Sequence, residues 1–171
     1  MATWLMNTYY GFIFFTPAFF ANSAAVFVSG LGRVDRGKTF RGKPILGTNK
    51  TNGGVLGATI GGGLLAIAVT FFFPEIFAQV DGYHWALGFL LGFGAIVGDA
   101  VGSFLKRRLE IKPGGPFPVM DQVGFVIFAY LFSLIFVKLP LGWLMVIPFT
   151  LVLHLAANMI AYNLGWKDVW W

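Results

Sequence analysis

Stretches of mostly apolar residues, each long enough to cross a bilayer, divide this chain. They run from Thr3 to Leu31, Gly54 to Ile76, Tyr83 to Phe104, Val119 to Val137 and Leu141 to Tyr162, and charged or Pro/Gly-rich breaks separate them. A membrane helix needs about 20 such residues. Strands are a poor alternative, because the runs lack the apolar/polar alternation that a small barrel requires. The pattern predicts an all-α integral membrane protein of about five transmembrane helices. Residues 1–171 form a single domain, with polar loops around 32–53 and 106–118. The N-terminal run lacks a Lys or Arg n-region and continues past a cleavable core, so it reads as a retained span rather than a signal peptide.

Composition narrows the class. The chain is 57% hydrophobic and only 11% charged, which leaves too little polar surface for a soluble globule of this length. The high apolar fraction excludes disorder, the glycines follow no triplet period, and the absence of Cys removes disulfide scaffolds, thiolate nucleophiles and Cys-ligated metals. No HExxH or GxSxG arrangement occurs, so hydrolase chemistry has no support.

The charges are distributed unevenly. An odd number of spans puts alternate loops on opposite sides. One side then holds Arg33, Arg36, Lys38, Arg41, Lys43, Lys50, Lys106, Arg107, Arg108, Lys112 and Lys167, which is eleven of the twelve basic residues. Lys138 alone falls on the other. The positive-inside rule makes the crowded side cytoplasmic, with the N-terminus outside and the C-terminus in the cytoplasm. Trp4, Tyr9, Tyr10, Trp85, Trp143, Trp166, Trp170 and Trp171 lie near predicted span ends, as interfacial aromatics do. Gly53, Gly57 and Gly61, and again Gly94, Gly98 and Gly102, recur every fourth residue, a spacing that lets helix backbones approach closely in lipid.

Several polar positions need a further reason. Asp99 lies within an apolar run, where a carboxylate costs about 2.5–3.5 kcal/mol on insertion scales. At about 100° per residue, Asp99, Ser103, Lys106 and Arg107 share one helical face. A turn-rich segment holding Lys112, Gly114 and Gly115 leads to Asp121 at the start of the fourth span. Because the third span enters the cytoplasm and the fourth leaves it, the two carboxylates can meet at one depth. Two acids among Lys, Arg, Ser and loop amides have the makings of a divalent-metal and phosphate site. A cationic helix end marks the cytoplasmic side in any case, but that role calls for neither acid. The first loop, basic and glycine-rich with Lys50 and Thr51 before the second span, suits nucleotide phosphates or an anionic leaflet. Asn22, within the first span, suits either an interhelical bond or a substrate contact. His154 and Asn158 read as a polar interhelical seam, and His84 lies at the outer interface.

The run from Ser103 through Lys106 and Arg107 to Lys112, Gly114, Gly115 and Asp121 resembles the signature of the membrane CTP:phosphatidate cytidylyltransferases, the CDP-diacylglycerol synthases. The short chain, the stretches Pro17 to Asn22 and Gly47 to Gly54, and the run Pro116 to Gln122 are more similar to their archaeal branch, the CDP-archaeol synthases. The sequence departs from the family's pattern at Gly124, where a second acid is usual, and at Asn52, where an aromatic is usual. Asp99 is therefore expected to take the larger share of the metal.

The resemblance implies an enzyme that transfers CMP from CTP to the phosphate of 2,3-bis-O-geranylgeranylglycerol 1-phosphate, releasing pyrophosphate, with Mg²⁺ as cofactor. CTP, the isoprenoid lipid and membrane lipids are the implied partners, with no nucleic acid. On this reading Asp99 and Asp121 hold Mg²⁺, while Lys106, Arg107 and Lys112 bind the triphosphate. Ser103, Gly114 and Gly115 orient phosphate oxygens, and Asn22, Lys50 and Thr51 complete a cytoplasmic pocket. The rival expectations are a polyprenol or lipid kinase of the same superfamily, and a small ion-transport protein with Asp99 in its path.

Overall fold

The computed structural model describes residues 2–28, 30–112 and 115–165. Among these residues six α-helices carry the fold: α1 (Ala2–Phe27), α2 (Asn52–Phe72), the short α3 (Pro74–Phe77), α4 (Leu87–Arg108), α5 (Met120–Ser133) and α6 (Val146–Asn163). Among the described residues, Asn52–Phe72, Leu87–Arg108 and Leu141–Asn163 are long and apolar enough to cross a membrane. Helix α1 has 26 residues and contains Pro17.

Three predicted boundaries change. The second apolar run breaks at Phe73, because Pro74 lacks the N–H that would continue α2 and starts a separate turn of helix. The fourth run yields a helix of only 14 residues, about 21 Å long and well short of a roughly 30 Å hydrocarbon core. It stops where the Ser133 hydroxyl donates back to the Tyr130 carbonyl. The fifth run opens with a 3₁₀ turn at Leu141–Met145 before α6.

Glycine decides the packing around α4. A Cβ on Gly62 would lie 2.9 Å from the Gly92 Cα, so α2 and α4 touch backbone to backbone. On its other side, Gly98 lies against the Gly124 carbonyl, where a Cβ would be 2.6 Å away, and Gly94 lies against Ala129. Gly57 and Gly61 of the predicted stripe instead pack on Ala24 and Phe20 of α1 and on Val28 just beyond it. The two glycine stripes thus serve different neighbours, while Gly88 and Gly92 make the α2–α4 contact. Helix α1 crosses the bundle through aromatic contacts, Phe15 with Tyr130 and Phe19 with Phe125 of α5.

The first loop is folded. A two-residue hairpin joins β1 (Thr39–Phe40) to β2 (Lys43–Pro44), and Arg33 bridges to Thr51 at the loop's base. Its outer end is fastened to the end of α4. The Arg108 guanidinium donates to the carbonyls of Phe40, Lys43 and Pro44, and stacks between the Phe40 and Phe104 rings. Helix α4 itself closes with Glu110 in the left-handed region and the Ile111 N–H bonded to the Lys106 carbonyl. Lys43 donates to that Glu110 at 2.7 Å and holds its carboxyl below the usual range.

Candidate active site

The C-terminal ends of α1 and α4 and the N-terminal ends of α2 and α5 lie at one end of the bundle, and most of the nominated residues cluster there. Helix α4 supplies Asp99, Ser103, Lys106 and Arg107 from its last three turns. The glycine contacts fix their partners. Gly98 sits at Gly124 and Gly102 at Met120, a register that sets Asp99 opposite Val123. Asp99 and Asp121 therefore differ in depth by only about 3 Å along the helices.

Each carboxylate is paired with a lysine from another element. Lys106 Nζ lies 2.7 Å from Asp121 Oδ2, which also accepts the Phe117 N–H at 3.0 Å. Lys50, which precedes α2, donates to Asp99 Oδ2. Ser103 is half-buried between these two pairs on the α4 face. Asp121 is presented by an unusual backbone. Val119, with φ 68° and ψ −54°, is the centre of a γ-turn closed by the Met120 N–H on the Pro118 carbonyl at 2.8 Å. A positive φ is rare for a β-branched residue, and such strain is found where structure around it dictates a side chain's position.

Arg107 is the most unusual side chain of the group. It is 9% exposed, its Nε is buried without an acceptor, and among the described residues it has no ion-pair partner. Gly47 of the first loop lies over it, so that a Cβ there would be 3.6 Å from Nη1. An unpaired buried cation is costly, by several kcal/mol after relaxation, unless something anionic meets it.

With this geometry in view, the comparisons are decisive. A family model described as CarS-like, CDP-archaeol synthase, matches residues 3–171. The chain belongs to the CDP-archaeol synthase family. It is 44% identical over 166 residues to the CDP-archaeol synthase of Methanocaldococcus jannaschii, covering 91% of this chain and 92% of that one. It is 39% identical over 173 residues to the CDP-archaeol synthase of Thermococcus kodakarensis, covering 98% and 99%. A solved structure described as an intramembrane enzyme for archaeal membrane lipid biosynthesis superposes with a TM-score of 0.73. The two share 31% identity, over 86% of this chain and 91% of that one. Membership makes the chain a membrane transferase of lipid biosynthesis, and neither a lipid kinase nor an ion transporter is favoured.

Within this CDP-archaeol synthase fold the other nominated residues fall as follows. Thr51 is the N-cap of α2, its hydroxyl accepting the Gly54 N–H at 3.1 Å. Lys112 is exposed, and its carbonyl accepts the Gly115 N–H at 2.9 Å. Gly114, Trp166, Lys167, Trp170 and Trp171 lie outside the described residues. Asn22 is half-buried one helical turn beyond Phe19, on the α1 side that meets α5. His154 and Asn158 are bonded to one another at 3.1 Å along α6.

Two residues that sequence reasoning passed over matter here. Gln122 is 5% exposed and its Oε1 has no hydrogen-bond partner among the described residues; its signal in the sequence was its place at the end of the run Pro116 to Gln122, beside Asp121. Asp35 organises the first loop; it is the sole acid among that loop's six basic residues. A cavity of about 420 Å³ lined by Asp81, Gly82 and Leu134 to Lys138 lies at the opposite end of the bundle, away from the cation cluster.

Asp99 and Asp121 fit a hard divalent ion. Mg²⁺ takes one or two carboxylates and completes its octahedron with water and substrate phosphates. No group of three or more acidic or His side chains gathers among the described residues.

Proposed function

We propose that the chain transfers CMP from CTP to an isoprenoid glycerol phosphate, giving CDP-archaeol and pyrophosphate at the cytoplasmic face of the membrane. The observation that carries this reading is the buried Arg107, with no ion-pair partner among the described residues, at the same end of the bundle as Lys50 and Lys106. Such a cluster is suited to a polyanion such as a triphosphate. The CDP-archaeol synthase names of the relatives support this choice of product.

In the reaction an oxygen of the lipid phosphate forms a bond to the α-phosphorus of CTP while the bond to the β-phosphate oxygen breaks. The nucleophile is already anionic, so no strong general base is needed. The protein's work is to hold two repelling phosphates in line and to neutralise them. Lys106 and Arg107 bind the triphosphate and stabilise the departing pyrophosphate, with Lys112 reaching in from the following loop. Ser103 and the amides around Gly114 and Gly115 orient phosphate oxygens, and Asn22, Lys50 and Thr51 complete the pocket. Mg²⁺ held by Asp99 and Asp121 would supply further charge neutralisation on the phosphate oxygens. Five membrane crossings with an outside N-terminus put every nominated loop where CTP is available, and the lipid chains enter sideways between helices.

The test is incubation of purified protein with labelled CTP, Mg²⁺ and a digeranylgeranylglycerol phosphate. CDP-lipid and pyrophosphate are expected. Release of CDP with phosphorylated lipid, or no CDP-lipid at all, would overturn the proposal.

A further inference from the structure

The first loop has almost no apolar core of its own. Leu31, Val34 and Phe40 are all exposed, so the shape of the loop depends on polar contacts. Several of these converge on one buried carboxylate. The Asp35 side chain is 1% exposed. Its Oδ1 accepts the Gly37 N–H at 2.9 Å, and its Oδ2 accepts those of Leu46 at 3.0 Å and Gly47 at 3.3 Å. The Arg33 guanidinium approaches the same group, with Nε 3.2 Å from Oδ1. Charge-assisted bonds of this kind are about twice as strong as neutral ones, and these tie together backbone from residue 33 to residue 47.

Both ends of that knot lead to the candidate site. Gly47, whose φ of 102° suits only glycine, lies over the guanidinium of Arg107. Val34, next to Asp35, donates its N–H to the Lys50 carbonyl at 2.9 Å, and Lys50 reaches Asp99. Arg108 fastens the hairpin from outside, whereas Asp35 determines where the inner segment lies.

We propose that Asp35 is a positioning residue for the nucleotide, folding the first loop into a preformed roof over Arg107 and Lys50. The proposal rests on the cytidylyltransferase reading above. A roof built in advance spares CTP the cost of ordering the loop when it binds. Without the carboxylate, CTP itself must order the segment. Nucleotide affinity then falls, while turnover at saturation and the affinity for lipid are retained.

Asp35→Asn keeps the side-chain size but removes the charge and turns one acceptor into a donor. The expected result is a CTP Kd, measured calorimetrically with Mg²⁺ and no lipid, weakened by about tenfold or more, with kcat within about threefold and the lipid KM unchanged. Unchanged CTP affinity, or a fall in kcat together with a rise in both KM values, would overturn it. A second measurement uses the wild-type chain. Hydrogen exchange should find the amides of Leu46 and Gly47 protected before any nucleotide is added, and exchange at open-chain rates until CTP arrives would sink the roof. Failure of the wild type to make CDP-lipid would count against the proposed function alone, since the exchange experiment does not depend on turnover.

Discussion

Lys106 Nζ lies 2.7 Å from Asp121 Oδ2, and this pair joins the last turn of α4 to the first turn of α5. The same carboxylate takes the Phe117 N–H, so Asp121 is held from both sides.

On the proposed mechanism Asp121→Asn and Asp99→Asn should each lower CDP-lipid formation by at least about 100-fold, because each removes a carboxylate that would hold the charge-neutralising Mg²⁺. Both proteins should remain folded in detergent, as judged by size-exclusion profile. Near-normal turnover in either variant would remove that residue from the site. Lys138→Ala, at the far end of the bundle, serves as the control and should leave activity unchanged.

Arg107→Met tests whether the protein sacrifices stability for anion binding. Replacing an unpaired buried cation with an apolar side chain of similar length should raise the melting temperature of the ligand-free protein by a few degrees, reflecting about 1–4 kcal/mol. CTP binding should be lost in the same variant. A lower melting temperature would mean that Arg107 is compensated within the protein.

Gly98→Ala probes the α4–α5 contact. The new methyl would meet the Gly124 carbonyl, which is backbone and cannot swing aside, so the helices must part. The cost should be about 1–3 kcal/mol in detergent unfolding. Activity should fall as well, since Asp99 and Asp121 are placed by that register. An unaffected enzyme would show that the register can shift without harm.

The first loop should resist acid. Burial pushes the Asp35 carboxyl up, but the N–H groups of Gly37, Leu46 and Gly47 and the Arg33 charge outweigh it and hold the group below its ordinary 3.8. A carboxyl depressed on folding contributes stability above its unfolded value and loses it as pH falls through the folded one. Loop protection, measured by hydrogen exchange corrected for intrinsic rate, should therefore hold from neutrality down to 3.8 and fail only below it. Opening at about pH 5–6 would contradict the Asp35 knot.

The helices were largely legible, because apolar runs of spanning length leave few alternatives. So were Asp99 and Asp121, whose charge has no role in lipid packing, and the Lys106 and Arg107 face that follows from helical spacing. The hairpin was not, since Thr39–Phe40 and Lys43–Pro44 are too short to show alternation. Nor was the early end of α5, where the apolar run continues although the helix does not. The Lys50–Asp99 pair joins residues 49 positions apart and depends on how the loop folds back. Asp35 did leave a trace, as the single acid in a basic loop, but its meaning emerges only once its three N–H donors converge on it.

The glycine contacts of α4 have a mechanical consequence. Helices α2, α4 and α5 meet with no room for a methyl group at Gly62, Gly92 or Gly98, so none can slide past another without separating. These three helices are an anvil, and any adjustment in the bundle falls to the more loosely packed α6. A bound nucleotide should therefore leave helix positions in the central trio almost unchanged.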